Sequence, residues 1–96
     1  MLVLITYDVA TTSKGGVRRL RRVAKICQNY GVRVQNSVFE CVVDSTTFLL
    51  LKNQLIEEID AKEDSLRFYR LGENYQHKVE HVGSKESLDV SKPLII

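Results

Sequence analysis

The sequence predicts one small α+β domain in which two helices pack on one face of an antiparallel sheet. Its 96 residues are enough for a single domain. Apolar runs typical of strands alternate along the chain with two stretches of helical periodicity. The 44% content of hydrophobic residues is typical of a globular protein rather than of a disordered one. We expect the domain to span residues 1–82, with residues 83–96 as a C-terminal tail that could pack on a partner subunit.

The first half of the chain predicts a strand, a helix and a second strand. Residues 2–7 form a near-continuous apolar run, LVLITY, which predicts a strand buried on both faces. Asp8 ends this run, and a loop rich in Ser, Thr and Gly follows. A helix is predicted over residues 17–30, with Gly31 at its C-terminal end. The apolar positions of this helix are Val17, Leu20, Val23, Ala24, Cys27 and Tyr30.

The second half predicts two more strands, a helix, and a strand that follows it. Strands are predicted over residues 32–36 and 38–43, and a second helix runs from about Asp44 to about Ala61. The apolar stripe of that helix is Phe48, Leu51, Leu55 and Ile59. A strand over residues 66–71 follows, and the alternating segment 78–82 predicts an additional short C-terminal strand. The β-α-β-β-α-β order is the ferredoxin-like arrangement.

This arrangement predicts an oligomer, because both helices cover the same face of the sheet. The other face needs a cover, and a homodimer through the sheet faces provides one. A chain of this length also buries only a thin core, which a second subunit would thicken. The additional strand at 78–82 could then extend the partner's sheet and cover an exposed edge.

The charge distribution predicts a polyanionic partner. Between Lys14 and Arg33 the chain carries seven Lys or Arg residues and no acid, whereas Glu57–Asp64 is an acidic run. This asymmetry favours a basic face that meets a polyanion, and a solvated helix face is the alternative. The outward positions of the first helix are Arg18, Arg22 and Lys25, with Arg19 and Arg21 at their sides.

Several classes of site receive no support from the sequence. Cys27 and Cys41 lie in apolar surroundings without CxxC spacing and are expected to be reduced and buried. His77 and His81 fall in a turn and a strand, so we expect them on the surface. No apolar stretch approaches the roughly 20 residues of a transmembrane helix, and the N-terminus lacks the basic region of a signal peptide. A cytoplasmic protein without membrane contact is expected.

Two stretches of the chain carry a resemblance to a known family. The opening VLITYDV contains Tyr7 and Asp8 and resembles the hydrophobic first strand, ending in Tyr-Asp, of the CRISPR-associated protein two family. The segment RVQNSVF at residues 33–39 is similar to the family's second signature. Both lie at the expected places in the β-α-β-β order, with an Arg-rich helix between them. The resemblance spans residues 1–82.

The resemblance implies homodimers that bridge two dimers of the integrase subunit, CRISPR-associated protein one, and that hold the DNA to be inserted. It also implies a divalent-metal-dependent endonuclease acting on RNA or DNA. Asp8 would be the metal-binding and catalytic residue, with Mg²⁺ (or Mn²⁺) as the cofactor, and Tyr7 would support it or stack on a base. A cap at the strand end is the alternative role for Asp8, and a core position is the alternative for Tyr7.

The remaining site residues are predicted to bind nucleic acid. Guanidinium groups bind phosphate oxygens bidentately, and no base-reading motif accompanies the arginines, so we expect salt-sensitive contact with the backbone. Ser37 and Phe39 also have structural alternatives, in the hairpin and in the sheet packing. The predicted nucleic-acid contacts are Arg18, Arg19, Arg22, Arg33, Ser37 and Phe39.

The predicted function is that of a metal-dependent endonuclease of the spacer-acquisition machinery that also holds DNA in the integrase complex. One alternative is a non-catalytic DNA-binding scaffold of the same complex. A second alternative is a toxin-type ribonuclease, which rests on likeness of fold alone. The choice between RNA, single-stranded DNA and duplex DNA stays open at this point.

Overall fold

The order of secondary-structure elements confirms the predicted ferredoxin-like arrangement. The structure, a computed structural model, describes residues 1–83, so the predicted tail beyond Gly83 lies outside the described residues. The elements are β1 (Leu2–Asp8), α1 (Gly16–Tyr30), β2 (Val32–Gln35), β3 (Val38–Val42), α2 (Ser45–Glu58) and β4 (Ser65–Gly72). Across the described residues, neither helix is long and apolar enough to cross a membrane.

The four strands form a sheet in the order β2-β3-β1-β4, and every neighbouring pair is antiparallel. The apolar strand β1 is central, with Thr6 opposite Val38 of β3 and Asp8 opposite Ser65 of β4. Because the pairs are antiparallel, the ends of β1 and β2 lie beside the starts of β3 and β4. This common end of the sheet is called the Asp8 end below.

The core lies between the sheet and the two helices. Alternation along β1 turns Val3, Ile5 and Tyr7 toward the helices, where they are buried. The predicted stripe of α2 is confirmed, since Phe48, Leu51 and Leu55 are buried and Ile59 packs against them partly buried. Asp44 caps this helix by accepting a 2.7 Å hydrogen bond from the Thr47 N–H. Val17 differs from prediction: it lies in the first turn of α1 and is 48% exposed.

Gly31 ends α1 for a steric reason. Its N–H donates to the Cys27 carbonyl at 2.9 Å, and its backbone is extended. A Cβ atom at this position would lie 2.3 Å from the Glu40 carbonyl oxygen and 2.4 Å from Cys41 Sγ. The helix therefore closes against β3 at a distance that only glycine allows.

Among residues 1–83, both helices lie on one face of the sheet and no helix covers the second face. In β1 this face carries Leu4 and Thr6, which are half-buried, and the exposed Asp8. The prediction that β1 is buried on both faces is therefore met only on the helix side within one chain. Residues 79–82 line a groove on this side together with Val34, Val38 and Glu40.

The predicted additional strand at residues 78–82 is wrong for the single chain. Lys78 closes a turn, with its N–H donating to the Tyr75 carbonyl at 2.9 Å, and residues 79–83 are neither helix nor strand. A strand needs a hydrogen-bonded neighbour, and the four described strands pair only among themselves. Apolar and polar residues alternate in this segment, but it forms no hydrogen-bonded ladder with the four described strands.

Candidate active site and nucleic-acid interface

Asp8 is the last residue of β1 and is exposed at the Asp8 end of the sheet. Tyr7 is buried on the helix side, so strand alternation turns Asp8 to the side without helices. Its ladder partner is Ser65, the first residue of β4. The chain turns away two residues later, where the Ala10 N–H donates to an Asp64 carboxylate oxygen at 3.0 Å. The result is a carboxylate on a rigid strand with its oxygens available to a ligand.

The residues around Asp8 fit a hydrated hard cation better than zinc. Mg²⁺ binds through one or two carboxylates and keeps several waters, whereas zinc sites take three or four protein ligands, mostly nitrogen and sulfur. Among residues 1–83 no group of three or more His, Cys, Asp or Glu side chains could hold a metal ion. The exposed Asp8 carboxylate fits one ligand position of a hydrated magnesium or manganese ion.

Tyr7 lies in the core, which is the alternative that its strand position suggests. The ring is 5% exposed, and its centroid is 6.2 Å from that of Phe39 in a stacked arrangement. The hydroxyl donates to the Asn36 carbonyl at 3.4 Å, and the backbone N–H donates to the Ser37 carbonyl at 3.1 Å. Burial raises the pKa of the Tyr7 phenol above its ordinary value of 10.0, so the phenol keeps its proton at neutral pH. The predicted catalytic role of Tyr7 stays a prediction.

Arg33, Ser37 and Phe39 also lie at the Asp8 end of the sheet, where β2 turns into β3. Arg33 is opposite Phe39 in the ladder, and its guanidinium carbon lies 5.2 Å from the centre of the Phe39 ring. Phe39 is fully buried, while Arg33 is exposed and Ser37 is half-buried. Arg33 and Phe39 are directed to the helix side, whereas Asp8 lies on the other side and Ser37 lines the groove there. The sequence-predicted residues thus share one end of the sheet but not one face.

The outer surface of α1 is basic, as predicted. The exposed basic residues of this helix are Arg18, Arg21, Arg22 and Lys25, called the α1 basic face below. Arg22 makes an exposed ion pair with Glu58 of α2 at 3.3 Å, and such pairs contribute little to stability. The guanidinium groups of Arg18 and Arg22 are four residues apart, about one helical turn, and both are exposed.

Arg19 differs from its neighbours, because its guanidinium is bonded inside the chain. Its Nε atom donates to Asp64 Oδ2 at 2.8 Å, and Nη2 donates to Asp64 Oδ1 at 3.3 Å and to Ser13 Oγ at 2.9 Å. Its Nη1 atom donates to the Lys14 carbonyl at 3.0 Å. The Arg19 side chain is 16% exposed. Its predicted contact with nucleic acid would require breaking this network.

Asp64 is the residue at this site that sequence reasoning missed. Its side chain has no exposed surface, and it accepts hydrogen bonds from Arg19 and from the N–H groups of Ala10 and Asp60. The Arg19 guanidinium is the main reason that the pKa of the Asp64 carboxyl falls to about 2. In the sequence Asp64 is one acid of the run Glu57–Asp64, and nothing local separates it from the others.

The cysteines are buried and the histidines are exposed, as predicted, although the strand predicted at His81 is absent. Cys27 and Cys41 are free and buried, and burial raises the pKa of their thiols to about 12 and about 11. Both are therefore uncharged and unreactive at neutral pH. His77 and His81 are exposed and lie outside helices and strands, so their spacing of four residues does not form a helical metal pair.

Fold and site together define a small ferredoxin-like domain with a basic first helix and an exposed carboxylate at the end of its first strand. Comparison with known proteins narrows this class to one family. The family model described as CRISPR associated protein Cas2 matches residues 1–79. The chain therefore belongs to the CRISPR-associated Cas2 family, as its Tyr-Asp and RVQNSVF stretches predict.

Relatives and solved structures agree with this assignment. A CRISPR-associated endonuclease Cas2 of Halalkalibacterium halodurans is 66% identical over 99% of both chains. A CRISPR-associated endoribonuclease Cas2 of Nitratidesulfovibrio vulgaris is 58% identical over 100% of this chain and 94% of the relative. The crystal structure of Streptococcus pyogenes Cas2 is 55% identical with a TM-score of 0.75, and the match covers 86% of this chain and 100% of that one. Membership supports a nuclease role in the CRISPR system.

Proposed function

We propose that the protein is a divalent-metal-dependent endonuclease that hydrolyses phosphodiester bonds of RNA or DNA through Asp8. The observation that carries the proposal is the exposed Asp8 carboxylate at the end of a central strand, on the side without helices. Bound Mg²⁺ or Mn²⁺ would supply charge neutralisation on the phosphate and an activated water. Asp8 would hold the ion, and the strand would hold Asp8 in a fixed direction.

A homodimer through the sheet faces would improve this site. One carboxylate binds a hydrated cation weakly, whereas two copies of Asp8 meeting near a two-fold axis would supply two ligands. The side of the sheet without helices carries apolar residues that one chain covers only partly, among them Leu4, Val34, Val38 and Val42. Burying them against a second copy would stabilise the dimer and bring the two carboxylates to one region.

Nucleic acid would bind the α1 basic face through its phosphates. Arg18 and Arg22 are the exposed guanidinium groups of this helix with the spacing of one turn, and Arg33 offers a third at the Asp8 end of the sheet. Arg19 is left out of this surface because its donors are bonded to Asp64, Ser13 and Lys14. The same surface would hold DNA in a complex with the integrase subunit, CRISPR-associated protein one.

Replacing Arg18 and Arg22 together with glutamine is expected to weaken binding of duplex DNA mainly at low salt. Each lost phosphate contact lowers the slope of log K against log salt by about 0.9, so the double variant should lose up to about 2 in slope. Titrations at several salt concentrations in the presence of chelator measure this slope. Lys62→Gln is the matched control, because Lys62 is exposed among acids and lies outside α1. An unchanged slope in the double variant would remove α1 from the interface.

The test of the proposed function is removal of the metal. Wild-type protein is incubated with labelled RNA, single-stranded DNA and duplex DNA in Mg²⁺, in Mn²⁺ and in chelator. Cleavage is expected with a metal, is lost in chelator and returns when metal is added in excess. Undiminished cleavage in chelator would contradict metal dependence. The preferred substrate is the one that is cleaved at the highest rate.

A non-catalytic DNA-binding scaffold is the second candidate. It is favoured by the position of the α1 basic face, which lies on the helix side of the sheet while Asp8 faces the other side. Binding at α1 therefore does not require Asp8. Absence of cleavage with every metal and substrate, with salt-dependent DNA binding retained, would select this function. The relatives reported above are CRISPR-associated proteins, so the toxin-type ribonuclease is not part of the proposal.

A further inference from the structure

We propose that Arg19 and Asp64 are a positioning pair that fixes the chain immediately after Asp8, and through it the direction of the Asp8 carboxylate during cleavage. The proposal rests on the proposed function, because it concerns the same reaction. It assigns to Arg19 a role inside the protein, in place of a contact with nucleic acid.

The Asp64 carboxylate joins three segments that are distant in the sequence. Oδ1 accepts from the Ala10 N–H at 3.0 Å, in the loop after β1. Oδ2 accepts from Arg19 Nε of α1 at 2.8 Å and from the Asp60 N–H after α2 at 2.9 Å. One buried side chain thus ties the β1–α1 loop to the α2–β4 loop. Four N–H donors from three residues, with Arg19 Nη2 as the fourth at 3.3 Å from Oδ1, form a satisfied charge-assisted network on this buried carboxylate.

The Arg19 guanidinium also forms hydrogen bonds with the β1–α1 loop itself. Nη1 donates to the Lys14 carbonyl and Nη2 donates to Ser13 Oγ. Ser13 Oγ in turn donates to the Ala10 carbonyl at 2.8 Å. Both backbone groups of Ala10 are therefore held, its N–H by Asp64 and its C=O by Ser13. A Cβ on Gly16 would lie 2.0 Å from the Ala10 carbonyl oxygen, so the start of α1 packs directly on the same residue.

The network reaches Asp8 along two short paths. Ala10 is two residues after Asp8, and Ser65, which follows Asp64, is the ladder partner of Asp8. The backbone of Asp8 is consequently fixed on both sides of its exposed carboxylate. Catalysis depends on such fixing, since a displacement of about 1 Å at a reacting group can lower the rate on the order of a hundredfold.

Burial and chemistry distinguish the pair from the surface ion pairs of this protein. The Asp64 side chain is fully buried, and that of Arg19 is 16% exposed, whereas those of Arg22 and Glu58 are 51% and 23% exposed. A planar guanidinium donates from three nitrogens in fixed directions, which a lysine ammonium cannot reproduce. The Asp64 pKa of about 2 agrees with a carboxylate that stays charged against its partner.

The experiment compares single-turnover cleavage by wild type, Arg19→Gln, Asp64→Asn and the double variant. Each single variant is expected to lower the maximal rate by about tenfold to a hundredfold, and the double variant should be no slower than the slower single one, because the residues act as one unit. Oligonucleotide binding in chelator should stay within about twofold of wild type, since no phosphate contact is lost. Glu73→Gln is the control, because it removes an exposed ion pair at the opposite end of β1.

Three results would overturn the proposal. Weaker binding by Arg19→Gln with a normal maximal rate would make Arg19 a nucleic-acid contact. A normal rate in folded Arg19→Gln and Asp64→Asn, with a lowered melting temperature, would make the pair structural only. A double variant whose loss is the product of the single losses would mean that the residues act independently.

Two milder variants keep the test decisive if a buried charge left alone prevents folding. Arg19→Lys keeps the positive charge but loses the planar set of three nitrogen donors. Ser13→Ala removes the hydrogen bond to the Ala10 carbonyl and leaves the Arg19–Asp64 pair in place. Both are expected to lower the maximal rate in the folded protein, and normal rates in both would overturn the inference.

Asp8→Asn in the same assay separates the two proposals. If it cuts like wild type, the proposed function fails and the inference falls with it. If Asp8 is required while the pair is not, the inference fails alone.

Discussion

Asp8→Asn is expected to abolish metal-dependent cleavage while leaving the folded protein and its nucleic-acid binding intact. Asparagine has nearly the same size as aspartate but carries no charge, so a metal ion loses its protein ligand. Metal-ion catalysis contributes several kcal/mol to stabilising the transition state, and each 1.36 kcal/mol corresponds to about tenfold in rate. The expected loss is therefore on the order of a hundredfold or more. Because Asp8 is exposed, the free energy of unfolding should change by less than about 0.5 kcal/mol.

Glu57→Gln provides the matched control for this experiment. Glu57 is an exposed acid of α2, and its replacement removes one negative charge on the helix side of the molecule. Cleavage of labelled RNA and duplex DNA is measured with Mg²⁺ and with Mn²⁺ for wild type, Asp8→Asn and Glu57→Gln. Cleavage lost in Asp8→Asn and retained in Glu57→Gln assigns the metal ligand. Undiminished cutting by Asp8→Asn would show that Asp8 is not the ligand.

Elements whose burial is set by one periodic pattern could be predicted from the sequence. The run LVLITY lies in the central strand, and the spacing of Phe48, Leu51 and Leu55 is the buried stripe of α2. Hydrophobic burial selects the face of a helix or strand, so the pattern within one segment suffices. Val17 of α1 continues the helical pattern but is exposed, because the pattern does not reveal which turn of a helix is covered.

The segment at 78–82 shows what local pattern leaves out. Its residues alternate like those of a strand, but a strand exists only if a neighbour supplies hydrogen bonds. Among the described residues, the sheet is complete without it. Whether alternation becomes a strand is decided by contacts that lie far along the chain or on another subunit, and the sequence of the segment does not contain that information.

The candidate site could also be predicted only where a local pattern marks a residue. Asp8 stands out because a charged residue directly follows an apolar strand. Arg18, Arg19 and Arg22 look alike in the sequence, yet the Arg19 side chain is only 16% exposed and bonds to the buried Asp64, whereas that of Arg22 is 51% exposed. The role of Asp64 arises from donor residues in three segments. Such a role follows from the fold, so it becomes visible only when the topology is known.

The placement of the site residues on opposite sides of the sheet would separate the two proposed activities, nucleic-acid binding and cleavage. The α1 basic face lies on the helix side, and Asp8 lies on the side that a dimer through the sheet faces would cover. In such a dimer the basic helices would be outside and the two carboxylates near the interface. Nucleic acid would then be held along the outer helices and cut near the two-fold axis, on a different surface. A substitution in one of these surfaces would therefore leave the other surface active.

Leu51→Ala is expected to lower the free energy of unfolding by about 2–5 kcal/mol. Leu51 is fully buried in the core beneath α2, so truncation leaves a cavity that its neighbours fill only partly. Small domains have a free energy of unfolding of about 5–15 kcal/mol, and the loss is a large part of it. Denaturation with urea, followed by circular dichroism at one fixed protein concentration, measures the change. Fixed concentration matters because association of the folded chains would add to apparent stability.

Leu50→Ala is the matched control, since the same atoms are removed from the neighbouring residue of the same helix. Leu50 is 56% exposed, and its truncation is expected to change the free energy of unfolding by less than about 0.5 kcal/mol. Equal losses in the two variants would contradict the packing of α2 described above. A loss at Leu50 that grows with protein concentration would have a different meaning. It would show that this side of α2 is covered in the associated protein, and the interface would then extend beyond the sheet face that carries Asp8.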